Sequence, residues 1–108
     1  MDRLDKTLQR IDKFNLDRDW NQFHSPENLS KSISIEAAEL LECFQWDENN
    51  YDLEVVKEEL ADVMNYCLQM ALVLKLDPIE IINKKIDKNE KKYPVEKAKG
   101  VSTKYNKL

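Results

Sequence analysis

Apolar residues recur at helical spacing along most of this chain, and short polar runs separate the repeats. Leu4, Leu8, Ile11 and Phe14 stand three or four positions apart and predict a first helix from about Asp2 to Phe14. A short segment from Asn15 to His24 carries Trp20 and Phe23. Ser25-Pro26 then opens a second helix, with Ser25 as N-cap and Pro26 as the first helical residue. Leu29, Ile33, Ala37, Leu40, Leu41 and Phe44 form the apolar side of that helix, which runs to about Gln45. The polar stretch Asp47-Glu48-Asn49-Asn50-Tyr51-Asp52 is a connection, and helix three, the most apolar element, runs from about Leu53 to Leu76. Asp77-Pro78-Ile79-Glu80 has the form of a capping box with Pro at the first helical position. A fourth helix therefore starts there, turns Ile79, Ile82 and Ile86 inward, and ends near Tyr93-Pro94. The expected fold is all-α, a four-helix bundle-like domain over residues 1–94 followed by a polar, basic tail over 95–108.

Within this pattern some acids are not placed like ordinary surface charges. At about 100° per residue, Ser32, Glu36, Glu39 and Cys43 form a stripe along one border of the apolar arc of helix two. Val55, Glu59, Asp62 and Tyr66 form the equivalent stripe on helix three. A solvated charge face would lie opposite the arc, where Lys31, Glu42, Lys57 and Glu58 fall. Each acidic pair, Glu36/Glu39 and Glu59/Asp62, has i,i+3 spacing, which sets both carboxylates on one side of a helix. If the two helices pack through their apolar faces, four carboxylates converge at the edge of a dry core. Like charges so close are unfavourable unless a cation joins them.

Oxygen-only ligands suit Mg²⁺, with Mn²⁺ as a substitute, and Mg²⁺ commonly completes its shell with water and substrate phosphate. Ions held this way polarise a phosphoryl oxygen and lower the pKa of water. A single acidic pair on a helix usually means only solubility. Two pairs on the core border leave open both a metal site and a solvated edge on a non-catalytic helical interaction or regulatory protein. A metal storage or sensor module is a weaker third reading. A ferritin-like di-iron centre wants Glu-x-x-His motifs, whereas the one histidine, His24, lies outside the helices.

Composition narrows the field. The 108 residues, 42% hydrophobic and 35% charged, suit one helical domain with a wet face; one Gly and three Pro leave little turn chemistry for β structure. A net charge of -4 argues against a nucleic-acid polymer as partner. The longest apolar run, Met70 to Leu74, is far too short for a membrane span. The N-terminus shows no cleavable signal. Cys43 and Cys67 lack Cys-x-x-Cys spacing and read as packed, reduced thiols, so a cytoplasmic setting is expected.

The segment Arg18-Asp19-Trp20-Asn21-Gln22-Phe23-His24-Ser25-Pro26-Glu27-Asn28-Leu29 resembles the entry to the dCTP pyrophosphatase branch of the MazG-like, all-α nucleotide pyrophosphohydrolases. Glu36-Ala37-Ala38-Glu39 followed by Glu59-Leu60-Ala61-Asp62 is similar to that superfamily's ExxE…ExxD metal signature. Phe44-Gln45-Trp46, Lys85-Ile86-Asp87-Lys88-Asn89, Lys92-Tyr93-Pro94 and Lys104-Tyr105 extend the likeness from about Phe14 to the end of the chain. The resemblance implies Mg²⁺-dependent hydrolysis of a (deoxy)nucleoside triphosphate to the monophosphate and pyrophosphate. Glu36, Glu39, Glu59 and Asp62 would hold the metal, while Lys85 and Asn89 match positions that touch the nucleotide.

Trp20 and Trp46 are candidate base-stacking residues, with a core or interface anchor as the competing reading. Because they flank helix two at opposite ends, a site shared between subunits suits them better than one protomer. His24 either contacts the base or hydrogen-bonds the turn before helix two. Tyr66, in the acid stripe, either reaches phosphate or sugar or simply packs. Ile11 stands where vertebrate members of that branch place a base-contacting histidine, and the loop between Trp46 and Glu59 is shorter, so cytosine preference is not implied. Trp20, Phe23 and Trp46 near polar loops, together with the habit of relatives, predict a homo-oligomer, a tetramer before a dimer.

Overall fold

The computed structural model describes residues 1–108 and contains helices and turns with no strand. Five helices follow in order: α1 (Arg3–Asp17), α2 (Pro26–Glu42), α3 (Leu53–Val73), α4 (Pro78–Lys92) and the four-residue α5 (Val95–Ala98). Single 3-10 turns stand at Asn21–Phe23 and Tyr105–Lys107. The chain divides into two units, Met1–Leu76 with α1 to α3 and Asp77–Leu108 with α4 and α5. The all-α expectation is borne out. The tail, read as polar and basic, holds α5 and the second 3-10 turn.

Each long helix begins on a side chain able to accept from free backbone N–H groups. The Asp2 carboxylate accepts from Asp5 N–H at 2.8 Å, and Asp5 returns the bond, closing a capping box. Ser25 Oγ accepts from Asn28 N–H at 3.1 Å, with Pro26 following as read. The Asp52 carboxylate accepts from Glu54 N–H and begins α3. Asp77 caps α4 through the N–H groups of Ile79 and Glu80. The capping box read at Asp77–Glu80 is not reciprocal. The Glu80 side chain instead pairs with Lys84 at 2.7 Å, one turn further on.

α1 runs three residues past the expected Phe14 and stops at a left-handed residue, Asp19, with φ 54°. Trp20 N–H donates to the Asn15 carbonyl at 2.9 Å and Asp19 N–H to the Leu16 carbonyl at 3.1 Å. This pair of bonds is a Schellman cap, whose usual apolar clasp is supplied by Trp20 packing edge-on against Phe14 at 5.7 Å. Gln22 donates to both the carbonyl and the carboxylate of Asp19, steadying it. The Arg18-Asp19-Trp20 block therefore has a local structural job. α3 ends in the same way, with Lys75 at φ 57° and bonds from Leu76 N–H to Ala71 and from Lys75 N–H to Leu72. That cap closes α3 at Val73, before the expected Leu76. α2 closes at Glu42, before Gln45, on short i→i+3 bonds from Cys43, Phe44 and Gln45.

Inside the first unit, α2 and α3 lie side by side and antiparallel, joined by the connection where Phe44 packs edge-on against Tyr51. α1 lies against α3 and runs parallel to it, with Asn15 near the C-terminal end of α1 beside Gln69, Leu72 and Val73 near that of α3. The fully interior apolar residues are Leu29 and Ala71, with Ile33, Leu40, Val56 and Val63 half-buried. Leu41, read as part of the inner side of α2, is 70% exposed because Leu40 takes the inner position and its neighbour is turned about 100° away. Ile79, Ile82 and Ile86, read as inward, are also exposed. Their own unit offers only a four-residue helix and a 3-10 turn to cover them.

Candidate metal centre and neighbouring cleft

The antiparallel pairing of α2 and α3 brings the two acid stripes together. Carboxylate oxygens of Glu36, Glu59 and Asp62 lie within 4.8 Å of one another. Glu36 and Glu59 are half-buried, and each turns one oxygen, Oε2, away from both solvent and any hydrogen-bond donor. Asp62 is exposed. Glu39 is exposed and outside the closest group of three, yet its carboxyl lies against both buried acids. None of the four ion pairs in the protein involves these residues.

The electrostatics follow from this crowding. The Glu39 carboxyl beside it, then burial, then the charges of Glu39, Asp62 and Glu59 push the Glu36 carboxyl up to about 7. Glu59 is raised chiefly by burial, then by Glu39, Asp62 and Glu58. Unpaired carboxylate oxygens hidden from water are costly. A divalent cation bound by oxygen ligands would satisfy Glu36 Oε2 and Glu59 Oε2 and remove the mutual repulsion. The donor set is all oxygen, which suits Mg²⁺ or Mn²⁺ better than Zn²⁺.

The other candidates fall in different places. Tyr66 is half-buried on α3, one turn beyond Asp62. Trp20 sits on the cap of α1 against Phe14. Trp46 is 89% exposed beyond the end of α2. His24 closes the turn before α2, its backbone N–H donating to the Asn21 carbonyl. It lines a small cleft of about 180 Å³ with Asp12, Asn21, Gln69 and Leu72. Leu72 is ten residues beyond Asp62, about 15 Å along the helix axis. The fold of one protomer thus sets His24 well away from the acids. Lys85 and Asn89 are exposed on α4, at i,i+4 spacing, within the second unit.

A larger cleft, about 450 Å³, lies between α1 and α3 and was not anticipated. Its walls include Arg10, Ile11 and Phe14 from α1 and Met64, Asn65 and Leu68 from α3. Asn15 and Gln69, 4% and 7% exposed, also line it. One signal was available: Asn15 continues the apolar series Leu8, Ile11 on α1, so a polar residue stands where a core residue is due.

A family model described as the MazG-like family matches residues 31–108. The chain belongs to the MazG-like family. Among proteins of known function, it is 33% identical over 105 residues to dCTP pyrophosphatase 1 of Mus musculus and 34% identical over 106 residues to dCTP pyrophosphatase 1 of Homo sapiens. Each match covers 89% of this chain and 62% of the relative, so the MazG-like chain spans under two thirds of their length. Among solved structures, a pyrophosphatase from Archaeoglobus fulgidus superposes with a TM-score of 0.77 at 40% identity, covering 87% of this chain and 94% of that one. The all-helical fold of this MazG-like protein is therefore a pyrophosphatase fold.

Proposed function

We propose that this protein is a Mg²⁺-dependent nucleoside triphosphate pyrophosphohydrolase that converts a (deoxy)nucleoside triphosphate and water into the monophosphate and pyrophosphate, acting on the cytoplasmic nucleotide pool. The observation that carries the reading is the gathering of Glu36, Glu59 and Asp62 within 4.8 Å, two of them with a buried, unpartnered oxygen. Its support from kinship is that similar proteins are named as pyrophosphatases.

In this reading Glu36 and Glu59 hold the cation through their inward oxygens, while Asp62 and Glu39 complete the acidic ring from the solvent side. When bound, the ion supplies positive charge to the phosphoryl oxygens and makes water a stronger acid. Before that, the acids repel a polyphosphate, so charge alone makes the reaction depend on metal. Tyr66, one turn from Asp62, offers a hydroxyl to phosphate or sugar. Lys85 supplies positive charge and Asn89 hydrogen bonds from α4. Trp20, Trp46 and His24 serve the base, in a site completed between subunits. A homo-oligomer, a tetramer in preference to a dimer, suits the exposed Ile35, Leu41, Leu60 and Met64 on α2 and α3. The free cysteines Cys43 and Cys67 suit a reducing compartment.

The test is pyrophosphate release from a panel of deoxynucleoside triphosphates, with Mg²⁺ and with EDTA. Turnover that needs the metal and vanishes in Glu39→Gln, with helicity intact, supports the reading. No turnover of any nucleotide at millimolar Mg²⁺ refutes it.

A further inference from the structure

The smaller cleft of the first unit is lined by donors unlike those of the acid edge. It encloses about 180 Å³ between the C-terminal halves of α1 and α3 and the turn ahead of α2. Asp12 and Asn15, at i,i+3 spacing, line it from one side of α1. Asn21 and His24 come from the turn, and Gln69, Leu72 and Val73 from α3. No Lys or Arg lines it, and Asp12 takes part in none of the four ion pairs. The His24 ring is not spent on holding the turn. That work falls to the His24 backbone N–H on the Asn21 carbonyl, to Ser25 Oγ and to Asn28 Nδ2 on the Phe23 carbonyl.

Gln69 supplies the unsatisfied group. It is 7% exposed, and its Nε2 donates to Asn65 Oδ1 at 3.0 Å, one turn back along α3. Its Oε1 therefore points away from Asn65, towards the turn that places Leu72 and Val73 in the cleft wall, and it finds no donor. Asn15, 4% exposed, likewise commits its Nδ2 to the Ile11 carbonyl and has its oxygen left over. The cleft thus gathers a carboxylate, an imidazole and the oxygens of two buried amides, electron-pair donors with no cation among them.

We propose that this cleft is a second cation site, selective for a borderline divalent transition-metal ion of the Zn²⁺ type, with His24, Asp12 and Gln69 Oε1 as protein ligands. Imidazole together with oxygen ligands suits such ions, whereas Mg²⁺ keeps to oxygen and gives up water reluctantly. The volume leaves room for an ion with several waters, each of which occupies about 30 Å³. Asn15 and Asn21 line the same space and hydrogen-bond those waters. The ion ties α1, the turn ahead of α2 and α3 together, so it acts as a structural staple for the first unit. One ring nitrogen of His24 binds the metal and the other keeps its N–H, so the part given to His24 towards the base stands. Gln69 is seven residues beyond Asp62, about 10 Å along α3, so this site and the acid edge are separate.

The test uses the full chain in millimolar Mg²⁺, with Zn²⁺ as the probe. The chain has one histidine, so its imidazole signals in a ¹H–¹⁵N spectrum report on this cleft alone. One equivalent of Zn²⁺ should shift them to saturation, EDTA should restore them, and Mg²⁺ alone should leave them in place. A hundredfold excess of Zn²⁺ over its dissociation constant should raise the melting temperature by about 10 °C. His24→Gln should abolish that rise. Asp12→Asn, at an exposed position, should weaken Zn²⁺ binding by more than the roughly tenfold that loss of a supporting group costs, and Gln69→Leu should do the same. Glu59→Gln, in the acid edge, should leave the imidazole response as it is.

Imidazole signals that Zn²⁺ leaves unmoved, or that Mg²⁺ moves as well, overturn the proposal. So does a response that survives Asp12→Asn or Gln69→Leu undiminished, which marks a lone ring binding metal adventitiously. A rise in melting temperature kept in His24→Gln but lost in Glu59→Gln puts the ion at the acid edge and overturns it too. None of these measurements reads pyrophosphate release, so an inactive protein with a responsive His24 sinks the hydrolase reading and leaves the second cation site standing.

Discussion

The acid edge of α2 and α3 and the cleft between α1 and α3 both hide polar oxygens without partners, but the two costs differ in kind. Glu36 Oε2 and Glu59 Oε2 belong to groups that gain or lose a proton, whereas Gln69 Oε1 belongs to a neutral amide. At the acid edge the penalty is electrostatic, so pH or a cation can remove it. In the cleft the penalty is a missing donor, so only a ligand, a water or a mutation can remove it. In the proposed reading an ion completes the edge, whereas the cleft's amide oxygen cannot be satisfied by any change of its own charge.

The largest expected effect breaks the comparison at the acid edge. Glu59→Gln should lower kcat by roughly 10³-fold or more, since it removes a charge from the proposed metal ring. In EDTA at neutral pH the same variant should unfold at a higher temperature than the parent, because it relieves repulsion instead of deleting a favourable contact. Scanning calorimetry beside the pyrophosphate assay checks both. A variant that is inactive and also less stable would mean that the carboxylates are held by favourable bonds in the absence of metal.

The acid edge was readable before any coordinates because its residues violate a simple expectation. Carboxylates at the border of an apolar arc, at i,i+3 spacing on successive helices, need a reason to be there. Antiparallel pairing of α2 and α3 then brought Glu36 to Glu59 and Asp62. The cleft was not readable in that way. Asn65 and Gln69 are ordinary residues for a helix, and their pairing appears only once α1 lies along α3 and buries Gln69. Helix starts were legible from Ser25-Pro26 and Asp77-Pro78, since a cap is a local device. Helix ends were less so: Asp19 and Lys75 take left-handed conformations usually given to glycine, so the Schellman caps left no glycine to mark them. The exposed Leu41, Ile79, Ile82 and Ile86 mark the further limit, that periodicity names an apolar face without saying what covers it.

Next in size is the pH dependence of the metal-free protein. The Glu36 carboxyl rises from an ordinary 4.5 to about 7 in the fold, so between those values the folded state binds more protons than the unfolded chain. Stability should therefore fall as pH climbs through that window and level off above it. Mg²⁺ should reverse the fall, stabilising the protein by about 2.7 kcal/mol at a hundredfold excess over its dissociation constant, and should do less at pH 5, where protons compete for the same oxygens. Thermal melts at pH 5 and pH 7.5, with EDTA and with Mg²⁺, measure this directly. Glu36→Gln should flatten the pH dependence in EDTA.

The cleft makes the contrasting prediction. Gln69→Leu removes a buried carbonyl that has no donor, and the exposed Asn65 can replace its lost partner with water. It should raise stability by about 1 kcal/mol, equally at pH 5 and pH 7.5 and with or without Mg²⁺. If stability falls by a similar amount, Gln69 is held in the fold for its bond to Asn65.

The smallest effect supplies a cost that belongs to neither region. Lys75 sits at φ 57° to close α3, and a non-glycine residue there costs about 1–2 kcal/mol of steric strain. Lys75→Gly relieves that strain but adds freedom to the unfolded chain worth about 0.5–1 kcal/mol, so the net gain should be about 0.5 kcal/mol. The bonds from Leu76 N–H to Ala71 and from Lys75 N–H to Leu72 are made by the backbone and survive the change. The gain should be the same at every pH and metal concentration, and kcat and KM should not move. A melt that responds to pH in Lys75→Gly differently from the parent would mean that the end of α3 is coupled to the acids about three turns away: the helix between Asp62 and Val73 would then transmit charge repulsion to its own cap, and the division between a titratable edge and a fixed cleft would fail.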